Sequence, residues 1–286
     1  MSQFKLYLYS AEGTDSAANK WDYGILKEFC ERKNIEQVNV KSLEYCDKAF
    51  VAIPGPSNAG LEEKISAELN NIGRVVLFVM GDEAGLFDAD KITHRNASIW
   101  IQYPHDKHEK YKKLPQGAPQ HFKEYAPTYK TKDIDLYFSG QINHNRRKQL
   151  SKVLPNIPNT IYKFTEGFTQ GDIPDVYYSN MARSKFIPCP SGIVVLDSFR
   201  FYEALELLCY PIVDSTTPKD EKPNYFGPLF KQTMPIVSVN YWEDLSSLMV
   251  NLYSNYPNNM HQAVSWWIKF KRDLFNEIME DLNEQR

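Results

Sequence analysis

The residues best suited to chemistry cluster between Ser184 and Ser215, in the run SKFIPCPSGIVVLDSFRFYEALELLCYPIVDS. An extended segment there ends in Pro188-Cys189-Pro190-Ser191-Gly192, a loop follows, and a helix is expected to open at Asp197-Ser198. The first-turn N–H groups of a helix lack intrahelical partners and sit at the positive end of its dipole, so they suit anionic oxygens, with Asp197 as the cap. Arg200 in that first turn adds forked donors matched to phosphate. Glu203, three residues further on, shares a helix face with Arg200. A carboxylate does not favour phosphate, but it accepts hydrogen bonds from both hydroxyls of a ribose. The expectation is one helix that holds a diphosphate at its tip and a ribose one turn along.

Other chemistries lack a comparable pattern. Ser191 has no G-x-S-x-G context, which argues against an esterase, and neither a Walker-type loop nor a G-x-G-x-x-G turn occurs. Asp88-Ala89-Asp90 and Asp133-Ile134-Asp135 spell D-x-D, and His105 and His108 have ligand spacing, but no further carboxylate or cysteine completes a metal site around the histidines. No metal and no cofactor is expected. The four cysteines form no C-x-x-C, which fits a reducing cytoplasm. No charged amino-terminal region leads into a long apolar run, and no stretch approaches about 18 consecutive apolar residues, so neither secretion nor a membrane span is expected.

The elements that must position these residues alternate. Phe4 to Tyr9, Ala49 to Ile53, Val75 to Met80 and Ser98 to Tyr103 read as strands, with helices over Asn19 to Glu31 and Leu61 to Leu69. Residues 104 to 132 carry four prolines and many lysines without sustained period, and read as a crossing segment. Alternation restarts with strands at Ile134 to Ser139, Thr160 to Phe164, Phe186 to Cys189 and Pro211 to Val213, and helices at Asn145 to Val153, Pro174 to Ser184 and Ser198 to Leu208. At 286 residues the chain is long enough for two domains at the usual roughly 100 to 200 residues each. The expected fold is α/β, two Rossmann-like domains facing across a cleft: residues 1–128, residues 129–262, and a last helix in 263–286 packing back across both. That helix carries Trp267, Phe270, Leu274, Ile278 and Leu282 on one stripe, which must be covered. Protein packing is the favoured cover; docking on a membrane surface through Lys269, Lys271 and Arg272 is the alternative.

The stretch around Ser191 resembles the signature of exostosin-like glycosyltransferases of the GT-B superfamily. The matching elements are Cys189-Pro190-Ser191-Gly192, Ser198-Phe199-Arg200, Glu203-Ala204 and Cys209-Tyr210-Pro211, with Tyr137-Phe138-Ser139-Gly140 and Arg146-Arg147 upstream. They cover roughly residues 135 to 215. Leu208 stands where related sequences usually have the glycine that ends the helix, so a different helix end is expected. The resemblance implies a nucleotide-sugar donor, a UDP-sugar as the commonest type, held in the C-terminal domain by Gly140, Arg146, Arg147, Pro188, Ser191, Gly192, Ser198, Phe199, Arg200 and Glu203. It implies inverting transfer to an acceptor hydroxyl over the N-terminal domain. Asp82 and Glu83, after the strand ending at Met80, are then the first candidates for the base, and Asp15 the second. Phe186, Ile187 and Tyr162 are candidates to flank the nucleobase.

The acceptor stays open. A cytoplasmic glycan or lipid-linked glycan is the first reading. A viral enzyme acting on a hydroxylated base in DNA is the second, using the seven lysines against three acids between His105 and Lys132, although a net charge of −3 disfavours strong duplex binding. A nucleotide-sugar-binding protein without catalysis is the third.

Overall fold

The computed structural model describes residues 4–9, 21–55, 61–128, 130–167, 170–218 and 225–284. Contacts divide the chain into Met1–Gln120 with Lys271–Arg286, and His121–Phe270. Each unit is built on one fully parallel sheet.

The first unit contains strands β1 (Lys5–Tyr9), β2 (Glu36–Val40), β3 (Cys46–Pro54), β4 (Ile72–Met80), β5 (Ala97–Gln102) and β6 (Lys112–Leu114), in the order β2-β1-β3-β4-β5-β6. Helices α1 (Gly24–Lys33) and α2 (Leu61–Leu69) supply the crossovers. Side chains alternate across the sheet, so β3 and β4 bury both faces. Val51, Ile53, Val75, Leu77 and Val79 pack with Ile65 and Leu69 of α2. Phe50 meets Phe29 of α1 edge-on at 5.2 Å and stacks on Phe78 at 6.2 Å.

The second unit contains β7 (Ile134–Gln141), β8 (Thr160–Thr165), β9 (Ser184–Cys189), β10 (Tyr210–Asp214) and β11 (Ser238–Val239), ordered β8-β7-β9-β10-β11. Helices α3 (Phe122–Tyr125), α4 (Asn145–Val153), α5 (Pro174–Arg183), α6 (Phe199–Glu206), α7 (Phe226–Phe230) and α8 (Leu245–Ser254) also belong to it. In both sheets the chain steps to one side of its first strand and then returns past it, which creates a topological switch point at β1/β3 and another at β7/β9. Ligands of open parallel sheets bind outside the carboxyl ends of the strands at such points.

The last helix, α9 (Tyr256–Asn283), contributes its residues to Phe270 to the second unit and those from Lys271 to the first. Its apolar stripe is covered by protein in each. Trp267 lies 5.0 Å from Tyr202 and Phe270 lies 4.9 Å from Phe230, while Phe275 packs on Phe29 and Asp281 accepts from the Trp100 indole. Lys271 is buried and bonds both oxygens of Glu28. The membrane-docking expectation therefore loses both its apolar face and one of its cations. Among the described residues no helix is long and apolar enough to cross a membrane.

Helix α6 ends in the left-handed closure that suits a glycine, although leucine stands there. Leu208 itself adopts φ 55°, while Cys209 N–H bonds Ala204 O and Leu208 N–H bonds Leu205 O. That is a Schellman closure with leucine in the left-handed position, at a cost of about 1 kcal/mol relative to glycine.

Candidate functional site

Parallel pairing of Leu136 with Phe186 brings the carboxyl ends of β7 and β9 to one edge of the second sheet. Arg200, in the first turn of α6, lies against the end of β7. Its Nη2 donates to Ser139 O at 2.7 Å, and its guanidinium carbon stands 4.5 Å from the centre of the Phe138 ring. Gly140 makes this approach feasible, since a Cβ there would stand 2.7 Å from Nη2. The Nε of Arg200 is buried with no hydrogen-bond partner among the described residues. Beyond the ring face, that carbonyl and a bond to the Tyr177 hydroxyl, the guanidinium keeps this N–H as a spare donor.

The turn after β9 is held from below. Ser191 N–H donates to Asp214 Oδ2 at 2.7 Å, and Arg146 donates to Asp214 Oδ1 through Nε and Nη2. The remaining Arg146 N–H groups go to Gln149 Oε1, Asn240 O and Val239 O. Every donor of this buried guanidinium is spent, so the expected role of Arg146 in donor binding is corrected: it is the strut under the Ser191 turn. The helix spacing placed it at the correct end of α4, but its side chain is turned down into the unit.

Around that turn, buried polar atoms lack partners among the described residues: Ser191 Oγ, Ser198 Oγ at the N-cap of α6, and His144 Nδ1. His144 is the N-cap residue of α4. Its Nε2 faces Ser191 O at 3.1 Å, and a carbonyl only accepts, so Nε2 carries the hydrogen and Nδ1 presents a lone pair. Burial, reinforced by the neighbouring Arg147 charge, pushes the imidazole down to about 4 and keeps it neutral. Sequence reading missed His144; its place immediately before the helix start at Asn145 was the available signal.

The other expected residues divide. Gly140, Ser191, Ser198 and Arg200 belong to this edge, and the half-buried Arg147 adds positive charge beside His144. Pro188 is buried within β9 opposite Ile212, and Gly192 and Phe199 are half-buried. Glu203 departs from expectation. It is 3% exposed, and its oxygens accept from Tyr178 OH at 2.7 Å and Tyr177 OH at 2.8 Å. Burial pushes its carboxyl up, against the pull of the two hydroxyls and the Arg200 charge. The ribose clasp is thus corrected to an internal one: the helix face shared with Arg200 is turned at Glu203 toward α5. Phe186 and Ile187 are core residues, whereas Tyr162 is 41% exposed and stacks on Phe164 at 4.9 Å.

In the first unit, Asp82 is also corrected. Its carboxylate accepts Leu86 N–H and Phe87 N–H, both at 2.8 Å, and is 4% exposed, so both oxygens are engaged in closing its own turn. Glu83 is exposed. Asp15 lies outside the described residues. The D-x-D acids are tied to neighbours: Asp90 to Lys110, Asp133 to Arg183 and Asp135 to Lys185. His108 Nε2 faces Phe87 O and His105 Nε2 faces Glu83 O. Among the described residues no group of three or more His, Cys, Asp or Glu has the arrangement to hold a metal ion.

No family model matches the chain, and no curated protein matches it. Solved structures do. AviGT4, a glycosyltransferase involved in avilamycin A biosynthesis, is similar with a TM-score of 0.51 and 10% identity, over 98% of this chain and 98% of that one. An alpha1,3-fucosyltransferase is similar at 0.48 and 10% identity over 97% of this chain and 90% of that one. Anabaena Alr3699/HepE, solved in complex with UDP and glucose, is similar at 0.48 and 9% identity over 98% of this chain and 99% of that one. What this chain shares with AviGT4 at such low identity is the fold, two parallel α/β units as in the GT-B glycosyltransferases.

Proposed function

We propose that the chain is a glycosyltransferase that binds a nucleoside diphosphate sugar at the β7/β9 edge of its second unit. The observation that carries this reading is the convergence of buried, unsatisfied polar atoms at a switch point: Arg200 Nε, Ser191 Oγ, Ser198 Oγ and His144 Nδ1. Buried polar groups are almost always paired, and unpaired ones mark a place where something else completes the hydrogen bonding. A diphosphate matches the donors among them, since its oxygens only accept. Arg200 and the tip of α6 supply the positive charge that a departing diphosphate requires, and they are in place before the reaction begins. The His144 lone pair repels a phosphate oxygen but accepts a sugar hydroxyl, so a molecule joining diphosphate to sugar suits the whole set. AviGT4, which shares the fold, is a glycosyltransferase.

In finer terms the donor is a UDP-sugar and the transfer is inverting and metal-independent, with a glycan or lipid-linked glycan in the cytoplasm as acceptor. The Ser191, Ser198-Phe199-Arg200 and Glu203-Ala204 elements support an exostosin-like assignment. A thermal-shift panel of nucleoside diphosphates and their sugars tests the reading, because a ligand that binds only the native state raises the melting temperature in proportion to the logarithm of its excess over Kd. At least one nucleoside diphosphate is expected to raise it in the parent and to raise it less in Arg200→Ala. A panel without any shift overturns the reading.

A further inference from the structure

Helix α5 carries two adjacent tyrosines not singled out from the sequence, and both hydroxyls reach across to α6. Tyr177 OH donates to Glu203 Oε2 at 2.8 Å and Tyr178 OH to Glu203 Oε1 at 2.7 Å, so each oxygen of this buried carboxylate is taken by a phenol. The Tyr177 ring is seated edge-on against Tyr137 of β7 at 5.8 Å and against Tyr178 at 5.0 Å. Burial and the Glu203 charge keep its hydroxyl protonated. Its one hydrogen goes to Glu203, so toward the Arg200 guanidinium, with which it also bonds, it presents only lone pairs. The three groups form a chain in the order Glu203, Tyr177, Arg200, with both charges on α6 and the neutral link supplied by α5.

An arginine and a glutamate three residues apart on one helix face are neighbours, and a guanidinium that meets a carboxylate there commonly pairs with it through two N–H groups at once. Such a pair within α6 would spend donors that a ligand needs. Instead Glu203 is taken up by the tyrosines, and Arg200 is held by Ser139 O, the Phe138 face and the Tyr177 hydroxyl, with Nε to spare. Resting on the donor site proposed above, we infer that Tyr177 is a positioning residue for the diphosphate: by standing between Arg200 and Glu203 it keeps the guanidinium off the carboxylate and its Nε available to the ligand. Tyr177 acts through Arg200 and not on the nucleotide itself. Glu203 then serves as the distant counter-charge of the cation, in place of the ribose clasp expected from the sequence.

Calorimetric titration with UDP, GDP and ADP tests this on the parent, Tyr177→Phe, Glu203→Gln and the double variant, with ligand-free melting temperatures as the check on folding. Tyr177→Phe removes the hydroxyl and lets Arg200 close on Glu203, so the nucleotide that the parent binds is expected to bind roughly 10- to 100-fold more weakly, the effect of losing a charged donor. Glu203→Gln leaves no carboxylate to capture Arg200. Alone it is expected to bind as the parent does, and added to Tyr177→Phe it is expected to restore the parent's affinity; a merely structural Tyr177 gives no such rescue. Tyr177→Phe binding as tightly as the parent, or a double variant as weak as Tyr177→Phe, overturns the positioning role and leaves the donor site standing. If Tyr177→Phe fails to fold, Glu203→Gln decides: parental affinity supports the role, and weaker binding makes the carboxylate part of the grip and overturns it. A parent that binds none of these nucleotides overturns the donor reading, and the role of Tyr177 with it.

Discussion

The two sheets share the order of their first five strands and differ in the charge they present at the same edge. Outside β7 and β9 stand Arg200, Arg147, a neutral His144 and the Ser191 and Ser198 hydroxyls, without partners among the described residues; outside β1, β3, β4 and β5 stand Asp22, Asp82 and Glu83, with the Tyr103 hydroxyl on Asp22 and backbone N–H groups on Asp82. The comparison teaches that topology fixes where chemistry happens, because only the carboxyl edge of a parallel sheet leaves crossover loops and helix tips open to a ligand. Side chains then decide which chemistry. A cationic edge with spare donors suits an anion to be held; at the acidic edge two of the carboxylates, Asp22 and Asp82, are buried and taken up by the protein's own donors. Within the cationic edge a second contrast applies. Arg146 has spent every N–H on Asp214, Gln149, Asn240 and Val239, whereas Arg200 retains an unsatisfied Nε.

The largest effect is expected where the cationic edge loses its strut. Arg146→Ala leaves Asp214 buried without its partner, which costs about 3–5 kcal/mol; urea denaturation is expected to show that loss, and an unchanged midpoint would mean that Arg146 is no strut. Next is a gain from the acidic edge. Asp22 is raised from 3.8 to about 6, so ionising it opposes folding: the penalty is absent below its unfolded value, grows between the two values and is complete above the folded one. At neutral pH Asp22→Asn is therefore expected to be more stable by up to about 3 kcal/mol, and at pH 3.5, roughly the lower limit set by an unperturbed aspartate, equal to the parent. A gain confined to neutral pH means that the buried charge outweighs the Tyr103 bond; a loss at both pH values means that the bond decides. The smallest effect belongs to Ser191→Ala. Its hydroxyl has no partner among the described residues, so the ligand-free melting temperature is expected to stay put, while nucleotide affinity falls by about 1 kcal/mol, near fivefold. A drop in ligand-free stability would place that hydroxyl in the scaffold instead.

Much of the framework is legible from sequence because it is local. Helix α4 and the core strands of both sheets follow from apolar runs and period, as does the stripe on α9. The strands that escape reading are edge pieces: Glu36–Val40 is polar because solvent covers one side, Lys112–Leu114 carries a lysine that pairs with Glu277 and Asp281, and Ser238–Val239 is too short to show a pattern. The place of Arg200 in the first turn of α6 is legible because its helix-start context lies within a few residues. The direction of Arg146 depends on Asp214, 68 residues away, and Asp22 depends on Tyr103, 81 residues away. Spacing along the chain says which end of an element a residue occupies; it does not say whether the side chain turns outward to a ligand or inward to a partner brought there by the fold.

Calorimetric titration of UDP into the parent, Arg200→Ala and Asp22→Asn asks most directly whether the β7/β9 edge holds the nucleotide. Removing a charged hydrogen-bond donor to phosphate costs about 1.5–3 kcal/mol, so Arg200→Ala is expected to bind roughly 10- to 100-fold more weakly, and Asp22→Asn to bind as the parent does. Equal affinity in Arg200→Ala, or an equivalent loss in Asp22→Asn, contradicts that assignment.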